Sequence, residues 1–226
     1  MRSRFALALI MIFSASLAQA QDVNTDKGKL SYAIGWDFGQ DIKRRGSEFD
    51  VESVVAAIRD TVGGRDPQVS AEEMVALLQS FQQKVRQEQV EAFQALAAEN
   101  QAKSEAFLEE NRAKTGIVVM PSGVQYRIIE EGDGPRPNME STVKVHYRGS
   151  KMDGREFDSS FARGVPEEFV VNSVLQGWQE VLPLMKQGST WQIFVPPELA
   201  FGQRGNPPVG PNEALMFDLR LVEIVQ

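Results

Sequence analysis

The sequence predicts an α+β protein, with a helical front half followed by an antiparallel sheet closed over one short helix. Three observations carry this. Apolar residues recur at three- and four-residue steps from Leu30 to about Leu96, then every second residue from Ile117 onward. Asp153-Gly154 lies between two such alternating runs, the composition of a hairpin turn. A single helical candidate, near Trp178 to Met185, interrupts the strands, and Pro183 must shorten or bend it.

Taken in order, the chain begins with a targeting pattern. Arg2 and Arg4 flank the start of an apolar run, Phe5 to Phe13, that is too short to cross a bilayer. Ala18-Gln19-Ala20 supplies small residues in a cleavage pattern. Residues 1–20 are therefore expected to be a signal peptide, leaving a mature, periplasmic chain from Gln21. Gln21 is not a cysteine, so lipidation is not indicated. At 42% apolar and 24% charged residues, the chain as a whole is too polar for an integral membrane protein. A net charge of −7, more negative once Arg2 and Arg4 are gone, argues against nucleic acid as partner. With no cysteine in an exported chain, the core must hold without disulfides.

Leu30, Ile34, Phe38 and Ile42 fall four apart and predict a helix ending near Gly46, with Gly35 and Gly39 leaving room for a close neighbour. A second helix is expected from Val51 to Val62, capped by Asp50 and stopped by Gly63-Gly64. A third begins at the Ser70/Glu73 capping box and meets no proline or glycine until Gly116, so it can run unbroken for about 65 Å. Met74, Leu78, Phe81 and Val85 alternate steps of four and three, as in a helix–helix seam. Beyond Leu96 the pattern dissolves into Glu, Gln, Lys, Asn and Ala, which predicts a solvated spacer. The apolar stripes of the first two helices need a partner. Residues 21–69 are accordingly read as a helical dimerisation domain, 70–115 as a long connecting helix and 116–226 as the sheet domain; the alternative is an arm that folds back on its own chain or frays beyond Leu96.

In the sheet domain, Val143, Val145 and Tyr147 share one face of a strand, and Lys144, His146 and Arg148 the other. Trp191–Val195 and Leu215–Ile224 alternate likewise, the second placing Leu215, Phe217, Leu219 and Leu221 on one face.

The usual catalytic signatures are missing. His146 is the one histidine and lies opposite Tyr147, away from the expected core. The paired acids are adjacent in sequence and read as solvated charge. Gly132–Gly134 precedes Pro135 and no helix, so it is no phosphate loop, and no G-x-S-x-G elbow occurs. No metal site and no cofactor are expected. What remains is a density of aromatics, Tyr147, Phe157, Trp178, Phe201 and Phe217, with Val174, Leu175 and Val209 and one acid, Asp158. By spacing alone they are either core or the lining of a pocket.

HYRG (146–149), DGREFDSS (153–160), VLQGW (174–178), LAFG (199–202) and LMFDLRLVEI (215–224) resemble the FKBP-type peptidyl-prolyl cis-trans isomerases across nearly all of residues 117–226. The front half, with LSYAIGWDFG and AFLEENRAKTGIVVMPSGVQY, is similar to the dimeric Mip-like and FkpA-like periplasmic members. The resemblance implies an FKBP-like sheet around a short helix and an aromatic pocket for a proline ring. Trp178 would be its floor, Tyr147, Phe157, Val174, Leu175, Val209 and Phe217 its walls, and Asp158 a polar contact at the edge. It also implies homodimers formed through the N-terminal helices, unfolded or partly folded exported clients that contain proline, macrolides as candidate inhibitors, and association with the outer membrane or surface as a variant of periplasmic location. The rival class is a holdase that grips clients without turnover. Phe201 stands where the family commonly has tyrosine, and Glu167 where it has an aromatic residue.

Overall fold

The computed structural model describes residues 23–225, so the expected signal peptide lies outside the described residues. The described residues divide into two units that part between Leu77 and Leu78.

The first unit is helical. Helix α1 (Asp26–Arg45) starts ahead of its apolar stripe because the Thr25 hydroxyl accepts the Gly28 N–H at 3.0 Å, a cap that lets the polar first turn form. Gly46, at φ +62°, ends it. Helix α2 (Val51–Val62) has the expected cap, with the Asp50 carboxylate accepting from Ser53 N–H at 2.7 Å, and stops at Gly63. Neither helix buries a single residue: Leu30 and Ile34 are each 63% exposed and Trp36 is 59%. Tyr32 and Trp36, one turn apart, stack at 6.0 Å on this open surface.

Helix α3 (Ala71–Arg112) opens where the Ser70 hydroxyl accepts the Glu73 N–H and continues for 42 residues. Its later turns are not the solvated spacer expected from their composition. The buried residues of α3 are Asn100, Ser104 and Asn111, all polar. They are buried because each side chain finds hydrogen-bonding partners in the sheet domain, which removes the penalty that polar groups otherwise carry inside a protein. Asn111 Nδ2 donates to Gln125 Oε1 at 2.9 Å, and Gln125 Nε2 donates to the Leu108 carbonyl at 2.8 Å. Phe107 lies 6.1 Å from the Phe194 ring. From Leu78 on, α3 belongs to the same unit as the sheet.

That sheet comprises β1 (Val118–Val119), β2 (Gln125–Glu130), β3 (Thr142–Lys151), β4 (Glu156–Ser159), β5 (Glu167–Val170), β6 (Thr190–Val195) and β7 (Leu215–Val225), with short helices α4 (Ser160–Arg163) and α5 (Gln176–Val181). Strand order is β1-β2-β6-β7-β3-β4, with β5 beside β3, and all pairings are antiparallel. Gly154, at φ +83°, makes the turn between β3 and β4 that Asp153-Gly154 foretells. Register sets Tyr147 opposite Leu219 and Gly149 opposite Phe217 on β7, which in turn sets Ile193 of β6 opposite Phe217. The alternation read from sequence holds: Val143, Val145, Leu215, Leu219 and Leu221 are fully buried, and Lys144 and His146 face the other way. Full burial of each such aliphatic side chain favours folding by about 1.5–3 kcal/mol. Helix α5 lies against this face, contributing Trp178 and Val181, and tightens into a 3-10 turn over Leu182–Leu184 where Pro183 removes an N–H.

Candidate functional site

Beside α5 the core opens into a cavity of about 190 Å³. Trp178, held by the short helix and 4% exposed, is its centre of packing. The indole meets Tyr147 at 5.3 Å and Phe217 at 5.1 Å, both edge to face, the arrangement that ring quadrupoles favour. Phe157, from β4, stands edge-on to Phe217 at 5.9 Å and to Phe201 at 6.4 Å. Gly149 makes this closeness feasible. A Cβ there would lie 2.7 Å from Phe157 Cζ and 2.9 Å from Phe217 Cε1, so a side chain of any size would force the rings apart.

The structure gathers Tyr147, Phe157, Asp158, Trp178, Phe217, Val174, Leu175 and Phe201 around this one cavity. Val209 is different: 3% exposed, it is packed within the core and does not line the space. Two lining residues were not anticipated, Phe169 and Ser173. Phe169 sits 6.1 Å from both Tyr147 and Trp178. It supplies an aromatic wall two residues beyond Glu167 on the same face of β5, because side chains of a strand repeat every second residue. Two glutamates precede it, and they hide the signal in the sequence.

One polar cluster edges the cavity. The Tyr147 hydroxyl donates to Asp158 Oδ2 at 2.5 Å and accepts from Arg163 Nη2 at 2.9 Å, while Arg163 Nη1 donates to Asp158 Oδ1 at 2.5 Å. Arg163 also pairs with Glu167, whose other oxygen lies 3.3 Å from the Tyr147 hydroxyl. Burial, then the bond to Asp158, pushes the Tyr147 phenol well above its ordinary range. Burial alone would raise the Asp158 carboxyl, yet the hydrogen bonds from Tyr147 and Arg163 outweigh it and hold that carboxyl below the usual range. The cluster therefore keeps fixed charges at neutral pH: an anionic Asp158, a neutral Tyr147 and a cationic Arg163.

His146 stands outside. Its ring stacks on Phe161 at 4.8 Å, and Nδ1 is 3.1 Å from the Ser160 hydroxyl, which also accepts the Tyr147 N–H at 2.7 Å. Among the described residues no three histidine or acidic side chains converge as a metal site would require. The arrangement offers an apolar, ring-sized space with one hydrogen-bonded edge, and no side chain poised to attack or to pass a proton. A larger hollow, about 980 Å³, runs along α1, but it is lined by that helix and its approach and carries none of these groups.

Comparison with known proteins gives concordant results. Residues 27–128 match the family described as the domain amino terminal to FKBP-type peptidyl-prolyl isomerase, and residues 134–222 match FKBP-type peptidyl-prolyl cis-trans isomerase. The chain is 40% identical over 229 residues to the outer membrane protein MIP of Legionella longbeachae, covering 99% of this chain and 98% of that one. It is 39% identical to the FKBP-type 22 kDa peptidyl-prolyl cis-trans isomerase of Escherichia coli K12, over 89% of this chain and 97% of the relative. The crystal structure of FkpA from Escherichia coli superimposes with a TM-score of 0.73 at 31% identity, covering 88% and 97% of the two chains.

Proposed function

We propose, from the premise that this chain belongs to the FKBP-type peptidyl-prolyl cis-trans isomerase family, that the cavity over Trp178 takes the proline ring of an extended segment and eases rotation of the amide preceding it. The activity comes with the family; the assignment of residues is our reading. Amide resonance sets a rotation barrier of about 18–20 kcal/mol, and rotation breaks no bond and moves no proton. A dry aromatic enclosure disfavours the charge-separated planar amide relative to its twisted form. In this reading Trp178 is the floor, Tyr147, Phe157, Phe169, Val174, Leu175, Phe201 and Phe217 are the walls, and Asp158 is the polar edge. The Leu175 N–H, at the cap of α5, holds a neighbouring carbonyl. The observation that carries the reading is a space of about 190 Å³ walled by Tyr147, Phe157, Phe169, Trp178, Phe201 and Phe217, whose polar edge is held in fixed charge states.

The test is a proline-peptide isomerisation assay on residues 21–226. The chain should accelerate the reaction, and Phe157→Ala or Asp158→Ala should lower kcat/KM by about tenfold, or ~1.4 kcal/mol. No acceleration by the parent chain would leave the holdase reading, which the isomerase names of the relatives disfavour.

We further propose export with cleavage after Ala20, which the basic start and small-residue pattern support, as does the outer-membrane name of the Legionella relative. No helix among the described residues is long and apolar enough to cross a membrane. The uncovered faces of α1 and α2 support a homodimer built through residues 21–69, with the hollow beside Tyr32, Gly35 and Trp36 as its seam. Clients are unfolded exported proteins carrying proline, and macrolides are candidate inhibitors.

A further inference from the structure

Two of the side chains that reach from α3 into the loop between β6 and β7 are buried, one entirely and the other nearly so: Ser104 is 0% exposed and Asn100 is 6%. They lie one turn apart and so project from one face of the helix. Between them they take three neighbouring backbone groups. Asn100 Nδ2 donates to the Pro211 carbonyl at 2.8 Å, the Ser104 hydroxyl donates to the Asn212 carbonyl at 2.8 Å, and the same hydroxyl accepts the Ala214 N–H at 2.8 Å. The loop answers with Asn212 Nδ2, which donates to the Ala97 carbonyl at 3.3 Å.

The clasped segment is also tied to the residue that follows a cavity wall. Asn212 holds a left-handed backbone, φ 52°, a conformation asparagine adopts more readily than most residues with a side chain. In that conformation its N–H donates to the Gly202 carbonyl at 2.9 Å, and Gly202 follows Phe201 directly. The loop is also closed on itself: Asn206 and Val209 exchange backbone hydrogen bonds, and the Gly205 and Gly210 backbones approach so closely that a Cβ on Gly205 would lie 2.6 Å from the Gly210 carbonyl carbon. A continuous run of hydrogen bonds thus leads from the Ser104 hydroxyl through Asn212 to the residue beside Phe201, whose ring closes the cavity against Phe157.

We propose that Ser104 and Asn100 are positioning residues of the proline pocket: the connecting helix sets the place of Phe201, although neither side chain touches the cavity. The inference rests on the pocket assignment given above. It makes α3 part of the machinery that holds substrate and gives the polar composition of its later turns a purpose that apolar packing would not serve. A hydroxyl that donates and accepts at once fixes both the position and the rotation of the backbone it holds.

A double-mutant cycle on residues 21–226 tests it, reading KM and kcat for a short proline peptide in the parent, Ser104→Ala, Phe201→Ala and the double variant. Ser104→Ala should raise KM by about three- to tenfold, since a wall out of place weakens binding without removing it. In the Phe201→Ala background the same change should have little further effect, because contributions transmitted through one side chain are not additive. A purely structural Ser104 would give equal losses in both backgrounds, or a lowered melting temperature with unchanged KM, and either result overturns the proposal. Should Ser104→Ala fail to fold, Asn100→Ala, which removes one bond, runs the same cycle. A parent chain that does not isomerise the peptide would instead count against the pocket reading itself.

Discussion

At the scale of single residues, the site is defined by groups that do not titrate near neutrality. Asp158 has its carboxyl held low and Tyr147 its phenol held high, so neither changes charge as the pH is varied around 7. The isomerase rate is therefore expected to be level from about pH 5.5 to 9, between the ordinary carboxylate and phenol ranges. Because the folded Asp158 value is depressed, its stabilising contribution is complete above the unfolded carboxyl value and is lost as pH falls through the folded one. His146→Gln should retain most of the parent activity, since that ring rests on Phe161 outside the cavity; a large loss in a folded variant, by circular dichroism, would contradict this. Phe201 tests the wall in another way. Adding the hydroxyl with Phe201→Tyr should tighten macrolide binding by about 0.5–1.5 kcal/mol in calorimetry, the net worth of one hydrogen bond. Five aromatic residues of the cavity lining, Tyr147, Phe157, Trp178, Phe201 and Phe217, were legible because motifs fix their order. Val209 was misread, because a buried valine looks alike on a cavity wall and behind one, and Phe169 went unnoticed between glutamates and valines.

At the scale of elements, caps and turns were the most legible features. Asp50, Ser70 and Gly154 act where their chemistry says they should, since a cap or a left-handed turn depends on one residue and its nearest neighbours. The docking of α3 was invisible for the opposite reason. Periodicity reports apolar faces, whereas this helix attaches through Asn100, Ser104 and Asn111. The short strands β1 and β5, of two and four residues, are beneath the reach of a two-residue period. A measurable consequence follows for truncation. A fragment beginning at Ile117 holds every cavity residue, yet it lacks the partners of Gln125, Phe194 and the Pro211–Ala214 backbone. Urea denaturation should find it about 2–5 kcal/mol less stable than a fragment beginning at Gln94, from the loss of several hydrogen bonds at about 0.5–1.5 kcal/mol each. Equal stability of the two fragments would show that the docked turns contribute nothing.

At the scale of the whole molecule, the uncovered helices of the first unit and the cavity of the second suggest separable tasks. Sedimentation should find residues 21–226 to be dimeric. Tyr32→Glu with Trp36→Glu, one turn apart on the exposed surface of α1 that lines the hollow, should give monomers that isomerise a short peptide as the parent does. The same monomers should assist refolding of a whole protein poorly, because joined sites hold a long client with avidity gains of about 10²–10⁴. A monomeric parent, or full refolding assistance by the variant, would refute the link between pairing and client handling. Strand order adds a constraint of timing. The last described strand, β7, lies between β3 and β6 and brings Phe217 to the cavity, so the middle of the sheet is the final part to be delivered. Under the export proposed above, a chain threaded front end first would show two open strand edges until β7 emerged, and until then it would have no pocket. In that case its pocket could serve no part of its own chain until β7 had joined β3 and β6.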